Sequence, residues 1–288
     1  MKKYLHILLV FFLAGCSSTI ETSFETRSKA ITEEIQSLPN HPWAGEYYKD
    51  STSDIGFRHV CLNIAPQSGY TLTWREHSGL RVSSCGKVQW ENDHIELFII
   101  FLIQEKPSQE LDSKLYPIQW GERHYLIPPS QMVDFCNDVS AGRERHYGFS
   151  STYLLKCGDE KKQVSGLPDV PEQFRSYLLS TPINATITAV EPPALLPSGS
   201  TYLNGAEHNF KRTVVTLDVG SDQRLLVGME LRAIMSDLCV FKISKVETGK
   251  AEAVIFQLDE KDPDPQIGWK LSTNPYYAQA TSEDSPEK

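Results

Sequence analysis

From Trp43 to Ile127 apolar and polar residues roughly alternate, and turn residues interrupt the pattern about every ten positions. This pattern constrains the fold more than any other feature. A period of two buries one face of a strand, whereas a helix of that composition would scatter its apolar residues around the whole circumference. Candidate strands are 44–49, 57–64, 69–75, 80–84, 87–90, 95–103, 115–120 and 123–127, with turns at Gln67-Ser68-Gly69, His77-Ser78-Gly79 and Asn92-Asp93. A strand at 152–157 follows, and a second β-rich run starts near Ile183, with strands at 212–218, 229–235, 239–246, 251–257 and 268–272. The expected fold is mainly β with a few short helices: an antiparallel barrel or sandwich-like first domain and a smaller β-barrel-like second domain.

Helical spacing is confined to short pieces. Phe24, Ile31, Ile35 and Leu38 lie at intervals that share one helix face, and Pro39 and Pro42 end that helix. Residues 130–140 predict a second helix with Ser130 as N-cap and Met132, Val133, Cys136 and Val139 facing inward. A short helical piece follows Pro171 and contains Phe174. The implied layout is a removable segment at 1–15, a tether and short helix at 16–42, a β-rich domain at 43–182 and a second at 183–273. Residues 191–210, rich in Pro, Gly, Ser and Asn, form a loop in the second domain, and 274–288 is a polar, acidic, disordered tail.

The chain opens with Lys2 and Lys3, continues with a mostly apolar run from Tyr4 to Leu13, and reaches Leu13-Ala14-Gly15-Cys16. A basic start, a short apolar run and small residues before a cut site form a secretory signal, too short to span a bilayer. The four residues ending at Cys16 resemble the lipobox of bacterial lipoproteins. That resemblance implies cleavage before Cys16, acylation of Cys16 and a lipid anchor. Ser17, standing where a retention signal would have Asp, points to the outer membrane with the body facing the periplasm. The alternative is an ordinary secretory signal with a chance cysteine.

The formal charge of −9 becomes −11 once Lys2 and Lys3 leave with the signal. Such a chain repels nucleic acid and anionic lipid surfaces, so nucleic-acid binding is not expected. Of the six cysteines, five remain after Cys16 is used. In an oxidising compartment Cys61 would pair with Cys85 and Cys136 with Cys157, the members of each pair being close in sequence, leaving Cys239 as a buried thiol. Five reduced thiols are the other reading, and the sequence leaves both open.

Two further resemblances concern fold alone. Trp43-Ala44-Gly45-Glu46-Tyr47 resembles the start of lipocalin-like barrels, where an aromatic ring closes one end, with Gly86-Lys87-Val88-Gln89-Trp90 as a later strand. Leu217-Asp218-Val219-Gly220-Ser221 with Val227-Gly228-Met229-Glu230-Leu231 resembles the small C-terminal β-barrel of flagellar assembly protein T. Lys242–Val246 and Ala251–Ile255, joined through Gly249, would be its later hairpin. That family tends to carry a glycine where Arg224 stands here.

Catalytic signatures are sparse. Glu122, Arg123 and His124 form the densest cluster of functional residue types, with alternation placing Glu122 and His124 on one strand face; an exposed hairpin ion pair explains them equally well. There is no Gly-x-Ser-x-Gly elbow, no CxxC, no HxH or HxxxH and no phosphate-binding glycine motif. Asp259, Asp262 and Asp264 share a loop that lacks the Gly and Glu of a calcium-binding EF-hand. Tyr47, Tyr48, Phe57, Tyr70, Trp74 and Trp90 could line a cavity or fill a small barrel. No cofactor and no metal is expected. The leading reading is a lipid-anchored envelope protein acting through contacts with another envelope protein; the alternatives are a small-molecule-binding module and an envelope hydrolase.

Overall fold

A computed structural model of the chain describes residues 24–53, 56–76, 79–104, 112–142, 153–201, 207–234, 236–257 and 263–275. The signal segment and Cys16 lie outside these residues. The chain divides into two compact units that interleave in sequence. The first holds Met1–Gln131 and Arg145–Pro171; the second holds Met132–Glu144 and Glu172–Lys288. The second unit therefore claims residues 132–144 and the chain from Glu172, both ahead of the boundary at 182 that the sequence suggests.

The first unit is a closed antiparallel barrel of eight strands in chain order. They are β1 (Gly45–Ser53), β2 (Gly56–Ala65), β3 (Gly69–Glu76), β4 (Gly79–Glu91), β5 (His94–Gln104), β6 (Lys114–Trp120), β7 (Arg123–Ile127) and β8 (Leu154–Lys156). Closure comes from β8, which pairs with β7 through Tyr125–Leu155 and with β1 through Tyr47–Lys156. Alternation sends Tyr47, Leu62, Ile64, Tyr70, Leu72, Ile95, Leu97, Leu115, Leu126 and Leu154 into one core, none more than 8% exposed.

The sequence suggests two strands at 80–84 and 87–90, but the structure has one, β4, with a register shift against β5 at Cys85-Gly86. Gly86 makes this continuity possible. A Cβ there would sit 1.9 Å from the Phe98 carbonyl oxygen and 2.7 Å from the Tyr70 ring, so only glycine allows the two strands and the ring to approach this closely.

Helix α1 (24–37) belongs to this first unit and is clamped onto it. Ile31 is fully buried. Arg27 Nη1 donates to the carbonyl oxygens of Ser68 (3.0 Å) and Gly86 (3.3 Å), and the Glu34 carboxylate accepts the N–H groups of Gln67 (2.9 Å) and Ser68 (2.7 Å). Burial works against the charge of Glu34, but these donors outweigh it and hold its pKa below the usual glutamate value.

In the second unit β9 (Asn184–Val190), β11 (Glu207–Leu217), β14 (Lys250–Gln257), β13 (Ser236–Glu247), β12 (Glu230–Ala233) and β15 (Lys270–Ser272) close a six-membered ring, since β15 and β11 both pair with β9. β10 (Ala194–Thr201) is hydrogen-bonded to β11. Ile187, Val215, Leu217, Leu231, Phe241, Ala253 and Leu271 fill the interior at 0% exposure. The region 191–210, expected to be a loop, is thus largely a hairpin, with 202–206 outside the described residues. Pro197 is tolerated because β10 lies at the end of the strand order, where a missing N–H breaks no central ladder; the pairing shifts register just after it.

Helix α2 (Met132–Ser140) follows a 3-10 turn at Pro129–Gln131. Ser130 does not cap it; its hydroxyl donates to Asp112 at 2.6 Å. Met132, Cys136 and Val139 are buried as expected, but so are Phe135, Asn137, Asp138 and Ser140. Asn137 and Ser140 find partners within the second unit. Asn137 donates to the Gly228 carbonyl (3.0 Å) and accepts the N–H of Glu230 (3.2 Å), and Ser140 bridges Tyr177 and Leu179.

Candidate functional site

The cluster at 122–124 sits where β6 turns into β7. Trp120 pairs with Arg123, leaving Gly121 and Glu122 as a two-residue turn with Gly121 at φ +59°. Here too a side chain is excluded, since a Cβ on Gly121 would lie 2.5 Å from the Gln163 carbonyl oxygen. The segment 157–166, which follows β8, folds against this turn, and each cluster residue holds part of it.

Glu122 exchanges contacts with Gln163: its N–H donates to the Gln163 carbonyl at 2.9 Å, and its carboxylate accepts the Gln163 N–H at 3.4 Å. Arg123, 8% exposed, donates to the carbonyl oxygens of Lys162 and Glu160. Trp120 Nε1 donates to the Gly166 carbonyl at 3.1 Å. His124 reaches Asp159, whose Oδ2 accepts both the backbone N–H and Nδ1 of His124, each at 2.8 Å. The Lys162 ammonium meets the other Asp159 oxygen at 2.5 Å.

Asp159 is the hub the sequence did not reveal. Its side chain is 3% exposed, and no motif surrounds it. Burial opposes its charge, but the hydrogen bonds from Lys162 and His124 win and hold its pKa below the usual aspartate value. An ionised carboxylate only accepts, so Nδ1 of His124 carries a proton toward Asp159. This is how a carboxylate orients a catalytic base, but among the described residues no nucleophile hydrogen-bonds to Nε2. The expected grouping is therefore modified. Glu122 belongs to the turn rather than to the strand face of His124, Arg123 lies on the other face as alternation implies, and the partner of His124 is Asp159.

The five cysteines among the described residues are free thiols, and neither expected pair is formed. β3 lies between Cys61 on β2 and Cys85 on β4, with Thr73 opposite Cys61 and Thr71 opposite Cys85. Two strand spacings are about 9.6 Å, beyond disulfide reach. Cys136 belongs to the second unit and Cys157 to the first. Cys239 is a buried thiol in the second core, as expected. Cys61 and the exposed Cys157 both lie beside Glu46, Cys61 Sγ at 3.4 Å from its carboxylate. Burial and then Glu46 push both thiols up to about 12, the reverse of an activated nucleophile.

Among the described residues no cluster of His, Cys, Asp and Glu has metal-binding geometry, and no helix is long and apolar enough to cross a membrane. Asp264 is used in an ion pair with Lys211, while Asp259 and Asp262 lie outside the described residues. Of the aromatic set, Tyr47, Tyr70 and Trp74 are buried. Trp90 is 47% exposed and stacks on the buried Trp43 at 6.2 Å, Tyr48 is half-buried, and the Phe57 side chain is outside the description. No family model matches this chain, and neither a curated protein nor a solved structure does.

Proposed function

We propose that this chain is a bacterial lipoprotein, acylated on Cys16 and held on the periplasmic side of the outer membrane, that works through contact with another envelope protein. The anchor rests on the lipobox-like Leu13-Ala14-Gly15-Cys16. The observation that carries the contact reading is the outer flank of β10, β11 and β14. There Leu196 (39% exposed) pairs with Phe210, and Phe256 (58% exposed) pairs with Arg212, so apolar side chains gather on one sheet face. The hydrolase reading gains no support, because the bonds of Glu122, Arg123 and the His124 Nδ1 hold the 157–166 segment. A photo-crosslinking residue at Leu196 in cells is expected to yield one discrete adduct that Phe256→Asp abolishes. Absence of any adduct, or an adduct indifferent to Phe256→Asp, would overturn the contact reading. Failure of Cys16 to incorporate a labelled fatty acid would overturn the anchor.

A further inference from the structure

Beyond contact with a partner protein, the first barrel bears an exposed apolar ridge on β5. Phe98, Ile99 and Ile100 are 48%, 54% and 54% exposed. A regular strand turns every second side chain inward, so it does not offer three successive residues to solvent in equal measure. The register shift opposite Cys85-Gly86 makes the difference: Gly86 pairs with Ile99 and Cys85 with Phe101, leaving Ile100 as an extra residue. From Leu97 to Gln104 the strand carries no charged residue, and the exposed cross-strand neighbour of Phe98 is Lys87.

The ridge stands beside helix α1. Arg27 donates to the Gly86 carbonyl at 3.3 Å, and Gly86 is the pairing partner of Ile99. The buried Ile31 and the bonds from Gln67 and Ser68 to Glu34 hold the helix on this same unit. Seven residues, 17–23, separate Cys16 from Phe24, where the helix begins. At no more than about 3.6 Å per residue, the start of α1 stays within about 30 Å of Cys16 whatever path the chain takes. The side of the barrel next to α1 is thus the side that an anchor on Cys16 keeps near the bilayer.

We propose that Phe98, Ile99 and Ile100 enter the interfacial layer of the membrane that holds Cys16, so that the first barrel rests on the bilayer through this side. The proposal rests on acylation of Cys16. Three half-exposed side chains bury too little area to hold the protein there unaided; their effect is to orient a body that the acyl chains already retain. The net negative charge of the chain repels an anionic surface, but the ridge itself is uncharged and the Lys87 ammonium beside it is attracted to lipid phosphate. A second copy of the chain suits the ridge less well, since strongly acidic copies repel one another.

The test uses the full acylated protein in vesicles of phosphatidylethanolamine with a minor share of phosphatidylglycerol. Photoreactive benzoylphenylalanine replaces Lys87 or, as a control, Leu167, an apolar residue 52% exposed on the segment after β8. Intact mass first reads the acylation of Cys16; an unacylated Cys16 would remove the anchor and this proposal with it, and is read apart from the photoadducts. On illumination the Lys87 probe is expected to form lipid adducts, and the Leu167 probe about fivefold fewer. Ile99→Ser combined with Ile100→Ser should cut the Lys87 adducts about fivefold while vesicle retention through the acyl chains is unchanged. A melting curve verifies that the double variant folds, and the contrast between the two probes stands without it. Equal lipid adducts from both probes, none at Lys87, adducts indifferent to the two serines, or a Lys87 adduct only with a second copy of the chain would each overturn the proposal.

Discussion

One oxygen of Asp159 accepts two hydrogen bonds from the same residue, the backbone N–H and Nδ1 of His124, each at 2.8 Å. The arrangement holds a proton on Nδ1 and locks β7 to the segment after β8. Replacing the carboxylate by an amide keeps the shape, loses the charge that faces Lys162 and brings a donor into an accepting position. Asp159→Asn is expected to cost about 1–3 kcal/mol in urea unfolding at neutral pH. The pKa of Asp159 is lowered by folding, so its contribution is present above the unfolded value and is lost as pH falls through the folded one. Wild type and variant should therefore converge in acid, below the ordinary aspartate range, and a difference that persists unchanged there would refute the charge-based account.

Gly86 leaves no room for a methyl group against the Phe98 carbonyl. Gly86→Ala is expected to destabilise the first barrel by roughly 3 kcal/mol or more, through overpacking against backbone that cannot yield. Thermal unfolding followed by near-ultraviolet dichroism would read it, and a loss under about 1 kcal/mol would show that the two strands can part.

Arg224 sits at φ +67°, ψ +19°, closing the short 3-10 turn Ser221–Gln223. Left-handed backbone costs a residue with a Cβ about 1 kcal/mol, partly offset in any glycine replacement by the freer unfolded chain. Arg224→Gly is expected to stabilise the protein by about half a kcal/mol, while Arg224→Val should destabilise it, since branching at Cβ crowds this conformation further. Denaturant midpoints of the three proteins should fall in the order Gly, Arg, Val.

Cys157 is the exposed thiol among those described, yet its pKa is pushed up to about 12 by burial and by Glu46. At pH 8 its thiolate fraction is about a thousandfold below that of an ordinary cysteine, so native alkylation by iodoacetamide should be slow despite access. Glu46→Gln removes one neighbouring charge and should speed the reaction. Peptide mapping by mass spectrometry resolves the site, and alkylation of Cys157 at the rate of a free thiol would contradict the electrostatic picture.

The sequence carries most of the β architecture because its signals are local: β1 to β4, β6 and β7 overlap alternating runs, and β5 covers a short run at 95–103 that is apolar apart from Glu96. It misses β10 because Pro197, Ser198 and Gly199 are loop residues by composition, and only pairing with β11 makes an end strand of them. It splits β4 because Gly86 interrupts the apolar rhythm, although that glycine serves close approach. His124 is legible as a chemical residue, but Asp159 is not. It lies 35 positions away on an irregular segment, and nothing in its neighbours announces a partner. Arg224 is the converse case, where the residue type gives no sign of the left-handed backbone it adopts.

The interleaving of the two units has a consequence for synthesis and inheritance. A ribosome must deliver Met132–Ser140, apolar material destined for the second unit, before it has made β8, the stave that closes the first barrel. The nascent first barrel therefore waits open while carrying a helix whose home does not yet exist. No single cut or crossover separates the modules, since any joint between Gln131 and Glu172 takes α2 from one or β8 from the other. The pair must travel through evolution as one indivisible piece.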